Sequence, residues 1–82
     1  MKIWKLIYLD EMINEYQVFK QVELIPEEKL NDRLCEAVQN GQLLDDTIAD
    51  YKLDEIDLYK LEPEKIAEIF EKDGYNIESV EV

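Results

Sequence analysis

Histidine is absent from the 82 residues, and cysteine, serine and threonine occur once each, as Cys35, Ser79 and Thr47. Most of the side chains that serve as nucleophile or general base near neutral pH are therefore missing, and catalysis is not the expected activity. A lone cysteine excludes an intrachain disulfide. Cys35 falls among apolar helical positions, where a buried and inert thiol in a reducing, cytoplasmic setting is expected. Two scattered glycines, Gly41 and Gly74, cannot build a phosphate-binding loop. Long apolar runs are also missing: Leu6-Ile7-Tyr8-Leu9 is too short for a signal-peptide core or a membrane span, and no lipidation motif is present.

Basic side chains are scarce too, with 9 against 21 acids and a net charge of −12. Direct binding to DNA, RNA or an anionic membrane would work against Coulomb repulsion, so a charged partner is expected to be basic. What the chain does have is an ordinary apolar fraction, 46%, beside 37% charged residues. That separates it from disordered acidic tails, which lack the apolar residues needed to offset chain entropy. The expectation is one domain over residues 1–82, marginal by itself because a chain this short buries only ~60% of its unfolded surface.

Lys2 to Leu9 and Tyr16 to Ile25 are rich in β-branched and aromatic residues, with Asp10 to Glu15 between them as a polar connection, which predicts a β-hairpin. Alternation in the second strand sets Tyr16, Val18, Val22 and Leu24 against Gln17, Phe19, Gln21, Glu23 and Ile25, and the first set is expected to meet the helices. Pro26-Glu27-Glu28 opens a helix of about fifteen residues that Asn40-Gly41 closes, with Leu30, Leu34, Ala37 and Val38 as its apolar stripe. Pro63-Glu64 opens another, carrying Ile66, Ala67, Ile69 and Phe70, and Gly74 stops it. A strand is expected over Glu55 to Leu61, and a last one over Tyr75 to Val82, with a bulge near Glu78-Ser79 or burial on both faces. The order is β-β-α-β-α-β: an α+β domain with a largely antiparallel sheet and two helices on one face.

No metal or cofactor is expected. Asp50 to Asp57 is acid-rich but lacks the glycine and terminal glutamate of a calcium loop, and paired carboxylates carry no information where acids are this dense. The distribution of charge is more telling. Residues 1–20 hold three bases and three acids, so the whole net charge lies in residues 21–82. Asp45, Asp46, Asp50, Asp54, Glu55, Asp57, Glu62 and Glu64 are opposed only by Lys52 and Lys60 within residues 43–64. Helical spacing adds two rows, Glu28, Asp32 and Glu36, and Glu64, Glu68 and Glu71, whose members repel by a few tenths of a kcal/mol per pair. Arg33 beside Glu36 and Lys72 beside Glu68 would neutralise part of each row, so a solvated, solubilising surface is one reading. The other is a row of carboxylates, ~6–7 Å apart at alternate strand positions such as Glu55 and Asp57, that imitates phosphates.

A second candidate surface is aromatic. With Ile3, Ile7 and Leu9 facing the helices, Trp4 and Tyr8 would face outward beside Phe19, as partner anchors, as a homodimer contact or under a second covering layer. In size, charge and want of catalytic side chains the chain resembles the small acidic nucleic-acid mimics that phages and mobile elements turn against restriction, repair or CRISPR enzymes. The resemblance is one of composition and covers no motif. It implies a non-catalytic inhibitor occupying the basic nucleic-acid-binding surface of an enzyme or complex, with the thirteen acids named above as contacts. The alternative expectation is an antitoxin or immunity protein, or a homodimeric adaptor using the Trp4/Tyr8 face.

Overall fold

A computed structural model describes the backbone of residues 1–11 and 18–82 and the side chains of residues 1–9 and 20–82. Strand β1 (Lys2–Glu11) pairs antiparallel with β2 (Val18–Pro26) and, on its other side, with β3 (Asn76–Glu81), giving the order β2-β1-β3. Asp10 and Glu11 continue β1 instead of starting the connection, and the rest of that connection, with Tyr16 and Gln17, lies outside the described residues. A 3-10 turn (Glu27–Lys29) leads into α1 (Leu30–Gln39), followed by α2 (Asp45–Tyr51), a second 3-10 turn (Leu58–Lys60) and α3 (Pro63–Lys72). The domain is α+β, an antiparallel sheet under a layer of helices, and it is only 17 Å thick along its shortest axis.

Local sequence accounts for the helix boundaries. Pro63 occupies the first turn of α3, where its missing N–H costs nothing, and Gly74 leaves the helix with φ of +101°, a conformation that penalises a Cβ. Gly41 does the same after α1 at φ +67°. Pro26, with φ −57° and ψ 143°, ends β2 and sets the direction of the first 3-10 turn. Helix α2 has no cap of its own. Asp73, just past α3, supplies one, accepting from the Leu44 N–H at 2.8 Å and the Thr47 hydroxyl at 2.7 Å, and so pins α2 to α3.

The strand expected over Glu55 to Leu61 is not formed. Lys52 ends α2 in the left-handed region (φ 54°), and Asp57 caps a new turn by accepting from the Tyr59 N–H at 3.0 Å. The Asn31 amide donates to the carbonyls of Leu58 (2.8 Å) and Leu61 (3.2 Å), so these acceptors are satisfied from α1 and not by a sheet. No bulge interrupts β3: its register with β1 runs unbroken from Lys2 opposite Glu81 to Ile7 opposite Asn76. β3 is an edge strand, and of its residues Ile77 alone is buried, so the alternative of burial on both faces does not hold either.

The hairpin is turned over relative to the sequence reading. Trp4, Leu6, Ile25 and Ile77 are buried under Leu30, Leu34 and Ala37 of α1 and Ile66, Ala67, Ile69 and Phe70 of α3, while Val22 and Leu24 are exposed. Tyr8 packs against the same core, edge-on to Tyr75, which is itself edge-on to Phe70. The Trp4 indole N–H finds Glu27 at 3.3 Å, so the ring enters the core without an orphaned donor.

The inversion has an electrostatic cause. Gln21 and Glu23 look like solvent-facing residues, but Arg33 descends from α1 and meets Glu23 with Nε at 2.9 Å and Nη2 at 3.1 Å, while Nη1 donates to Gln42 at 2.8 Å. A two-pronged guanidinium contact of this kind lets a carboxylate sit on the helical side of the sheet. The Arg33 hydrogen bonds hold the Glu23 carboxyl below its ordinary value of 4.5, against the partial burial that pushes it up, with the Tyr8 hydroxyl assisting.

Replacing Arg33 with alanine is expected to cost about 2 kcal/mol, less than a fully buried pair because Glu23 is partly solvated, whereas Glu23→Leu with Arg33→Leu loses much less. Since the folded-state value of Glu23 is depressed, its contribution is complete above about pH 4.5 and disappears as the pH falls through that lowered value. Urea unfolding at pH 7 and pH 3 checks both: the gap between wild type and Arg33→Ala should shrink in acid.

Candidate functional site

All thirteen candidate acids are exposed, and each lies on a helix or a connection between helices. Asp45 and Asp46 stand in the first turn of α2, where the helix dipole favours them. Asp54, Glu55, Asp57 and Glu62 lie between α2 and α3; Glu28, Asp32 and Glu36 run along the first 3-10 turn and α1; Glu64, Glu68 and Glu71 follow α3. The described part of the open sheet face carries one acid, Glu78, paired with Lys5 at 4.0 Å. Because residues 54–57 are not a strand, the alternate-position spacing expected for Glu55 and Asp57 does not apply.

The lysines divide these acids into two groups. Glu64 pairs with Lys2 (3.9 Å), Glu68 with Lys65 (2.7 Å) and Asp50 with Lys72 (3.0 Å), and both Lys65 and Lys72 lie over the Tyr51 ring, at 5.0 and 5.6 Å. The Lys65 hydrogen bond thus lowers Glu68 and raises Lys65 itself, and the hydrogen bond to Asp50 raises Lys72, relative to their ordinary values. These pairings differ from those expected: Lys72 goes to Asp50 instead of Glu68, and Arg33 to Glu23 instead of Glu36. The α3 side is largely neutralised as a result.

The α1 side is not: among the described residues Glu28, Asp32 and Glu36, and Asp54, Glu55, Asp57 and Glu62 of the α2–α3 connection, make no ion pair, and neither do Lys29, Lys52 and Lys60; Asp45 and Asp46 of α2 and Glu71 of α3 are unpaired as well. Two contacts fasten the α2–α3 connection to α1. The Asn31 amide holds Leu58 and Leu61, and the Tyr59 hydroxyl donates to Asp32 at 2.9 Å. Tyr59 therefore spans two carboxylates, Asp57 bound at its backbone N–H and Asp32 at its hydroxyl, and remains 63% exposed beside the half-exposed Ile56. Asp32 of the α1 row and Asp57 of the connection are thereby held at the two ends of one fixed aromatic residue.

Tyr59 and Ile56 were missed by sequence reasoning because they fit the alternation of the expected strand. The usable signal was the aspartate two residues before a tyrosine in a proline-terminated polar segment, an Asx-type turn. The aromatic surface drawn from sequence is not assembled: Trp4 is buried, Tyr8 packs against the core, and the Phe19 side chain lies outside the described residues.

A 520 Å³ open cleft between α3 and β3, lined by Ile7, Glu71, Gly74, Tyr75, Asn76, Ile77 and Glu78, contains two carboxylates and a phenol. Among the described residues no group of three or more cysteines, aspartates and glutamates is placed to hold a metal ion, and no helix is long and apolar enough to cross a membrane. No family model, curated protein or solved structure matches the chain.

Tyr59 offers a direct check on this geometry. Its hydrogen bond to Asp32, with the Cys35 side chain as second contributor, pushes the phenol up to about 12. Ultraviolet difference titration should show one tyrosine ionising about that high, and Asp32→Ala should bring it back toward the ordinary value near 10. A Tyr59 that titrates normally in the wild-type chain would mean that the connection is not fastened to α1.

Proposed function

We propose that this chain is a non-catalytic, cytoplasmic inhibitor that occupies the basic nucleic-acid-binding surface of an enzyme or complex, of the kind phages and mobile elements direct against restriction or CRISPR systems. The observation that carries the reading is the surface formed by α1 and the α2–α3 connection. Glu28, Asp32, Glu36, Asp54, Glu55 and Asp57 are exposed there without ion-pair partners, and Tyr59 holds Asp32 and Asp57 at its two ends.

The physics of such binding follows from charge alone. Carboxylates held in place by helix and turn geometry displace the counterions around a groove built for phosphates, and steering makes association fast. Tyr59 adds what acids cannot. A flat ring beside anions presents the same combination as a base beside phosphates, and it supplies a desolvated anchor in the middle of a charged rim. No bond is made or broken, which suits a chain without histidine. An adaptor or antitoxin acting through Trp4 is less well supported, because that side chain is in the core.

The test is partner capture at ~50 mM salt followed by competition. A captured nucleic-acid-binding protein should be released by excess DNA or RNA, and its affinity should fall by about 100-fold or more between ~50 and ~200 mM salt. Asp54→Lys, Glu55→Lys and Asp57→Lys together should abolish capture with the circular dichroism spectrum unchanged. Partners that resist both polyanions, or that bind the triple variant equally well, would show that the acidic surface is only solubilising.

A further inference from the structure

Among the described residues the helices cover one face of the sheet, and the other face lacks the polar character of a solvated surface. Residues opposite one another in the ladder share a side, so the described part of the open face consists of Ile3, Lys5, Ile7 and Leu9 from β1, Lys20, Val22, Leu24 and Pro26 from β2, and Asn76, Glu78 and Val80 from β3. An antiparallel strand with one wet face ordinarily alternates apolar inside with polar outside. Here β1 offers three apolar residues outward as well as Trp4, Leu6 and Tyr8 inward, the pattern of a strand covered on both sides. Leu9, Val22, Leu24 and Val80 are nonetheless all exposed, Leu24 to 66%.

We propose that this face docks a second copy of the chain, sheet against sheet, in a twofold dimer. Charge selects a copy of itself as the occupant. The protein carries −12, yet the described part of the open face holds two lysines and one glutamate, so two copies can approach here without bringing their acidic surfaces together. The few charges present are self-complementary. Lys20 has no ion-pair partner among the described residues, and the Glu78 of a second copy is a carboxylate of the right sign on the matching face. Stacked sheets lie ~10 Å apart and cross at about 30°, which leaves both helical layers, with their acids, directed outward on opposite sides.

Size sets the strength. Three strands at ~4.8 Å spacing, over about eight residues of ~3.4 Å each, give roughly 400 Å² in plan, more once side-chain relief is counted. That is about half of the per-partner area of a standard stable interface, so the dimer is expected to be weak, with a dissociation constant of micromolar order or above.

Sedimentation equilibrium over ~1–200 µM, on the full chain, tests the proposal. A monomer–dimer equilibrium is expected that tightens as salt rises from ~50 to ~500 mM, because screening removes the repulsion between two anionic copies. Leu24→Gln and Val80→Gln leave the charge unchanged and lie on opposite edge strands of the same face. Each should weaken association by about 10-fold or more, while circular dichroism of the monomer is unaltered. The midpoint of thermal unfolding should rise with concentration in the wild type and lose that dependence in the double variant. A wild-type chain that stays monomeric at ~200 µM overturns the proposal. So does a dimer weakened by only one of the two substitutions, which is the behaviour of strand-edge pairing.

Discussion

The Arg33 guanidinium reaches from α1 to the Glu23 carboxylate with two prongs and to Gln42 with the third, and this contact decides which side of the hairpin the helices cover. On apolar content β1 is undecided, since Ile3, Ile7 and Leu9 compete with Trp4, Leu6 and Tyr8 for the interior. β2 would decide it the other way, because burying Ile25 brings Glu23 with it. An unpaired carboxylate on the helical side would be far more costly than the exposure of Val22 and Leu24 that results. With Arg33 in place the cost is offset, and the face carrying Trp4, Leu6 and Ile25 goes inside.

Much of the remaining surface follows from that choice. Once Glu23 is inward, the described outward positions are mostly apolar, with Glu78 the one acid among them, and most of the other described acids lie in the helical layer and its connections. The described residues form two unlike sides within 17 Å of thickness: one nearly neutral and greasy, the other dense in carboxylates. The two proposals use these sides separately. Dimerisation through the open face leaves the acidic surfaces free, and binding to a basic groove leaves the open face free, so salt acts on the two associations in opposite directions.

What was legible in the sequence was what local chemistry settles. Pro63 and Gly74 mark α3, Asn40-Gly41 marks the end of α1, and an α+β domain with an antiparallel sheet follows from the strand and helix periods. Features that depend on distant partners were not legible. The sheet face depends on Arg33, ten positions beyond Glu23; α2 depends on Asp73 for its cap; and residues 55–61 mimic a strand in pattern while Asn31 satisfies their carbonyls from another element. A bulge in β3 would put Ile77 and Val80 on one side. An apolar outer face makes it unnecessary, since Ile77 packs inward and Val80 sits on the open side opposite Ile3.

The acidic candidates show the same division between composition and arrangement. Their exposure was readable, because 21 carboxylates on a small domain have few ways to be buried. Which of them stay uncompensated was not, since it depends on where a handful of lysines land. Tyr51 draws Lys65 and Lys72 to the α2–α3 seam, where they neutralise Glu68 and Asp50, and Lys2 takes Glu64. Those cations are therefore unavailable to α1. Lys29 at the start of α1 and Lys52 and Lys60 in the connection make no ion pair among the described residues, so the α1 acids keep their charge beside them, and solubility alone gives no reason to tie that row to an acidic loop through a tyrosine. Tyr59 relieves little repulsion, because its hydroxyl brings no charge. What its contacts with Asp32 and Asp57 do is fix the positions of two carboxylates that would otherwise move apart, and fixed spacing is of use to a partner that reads it.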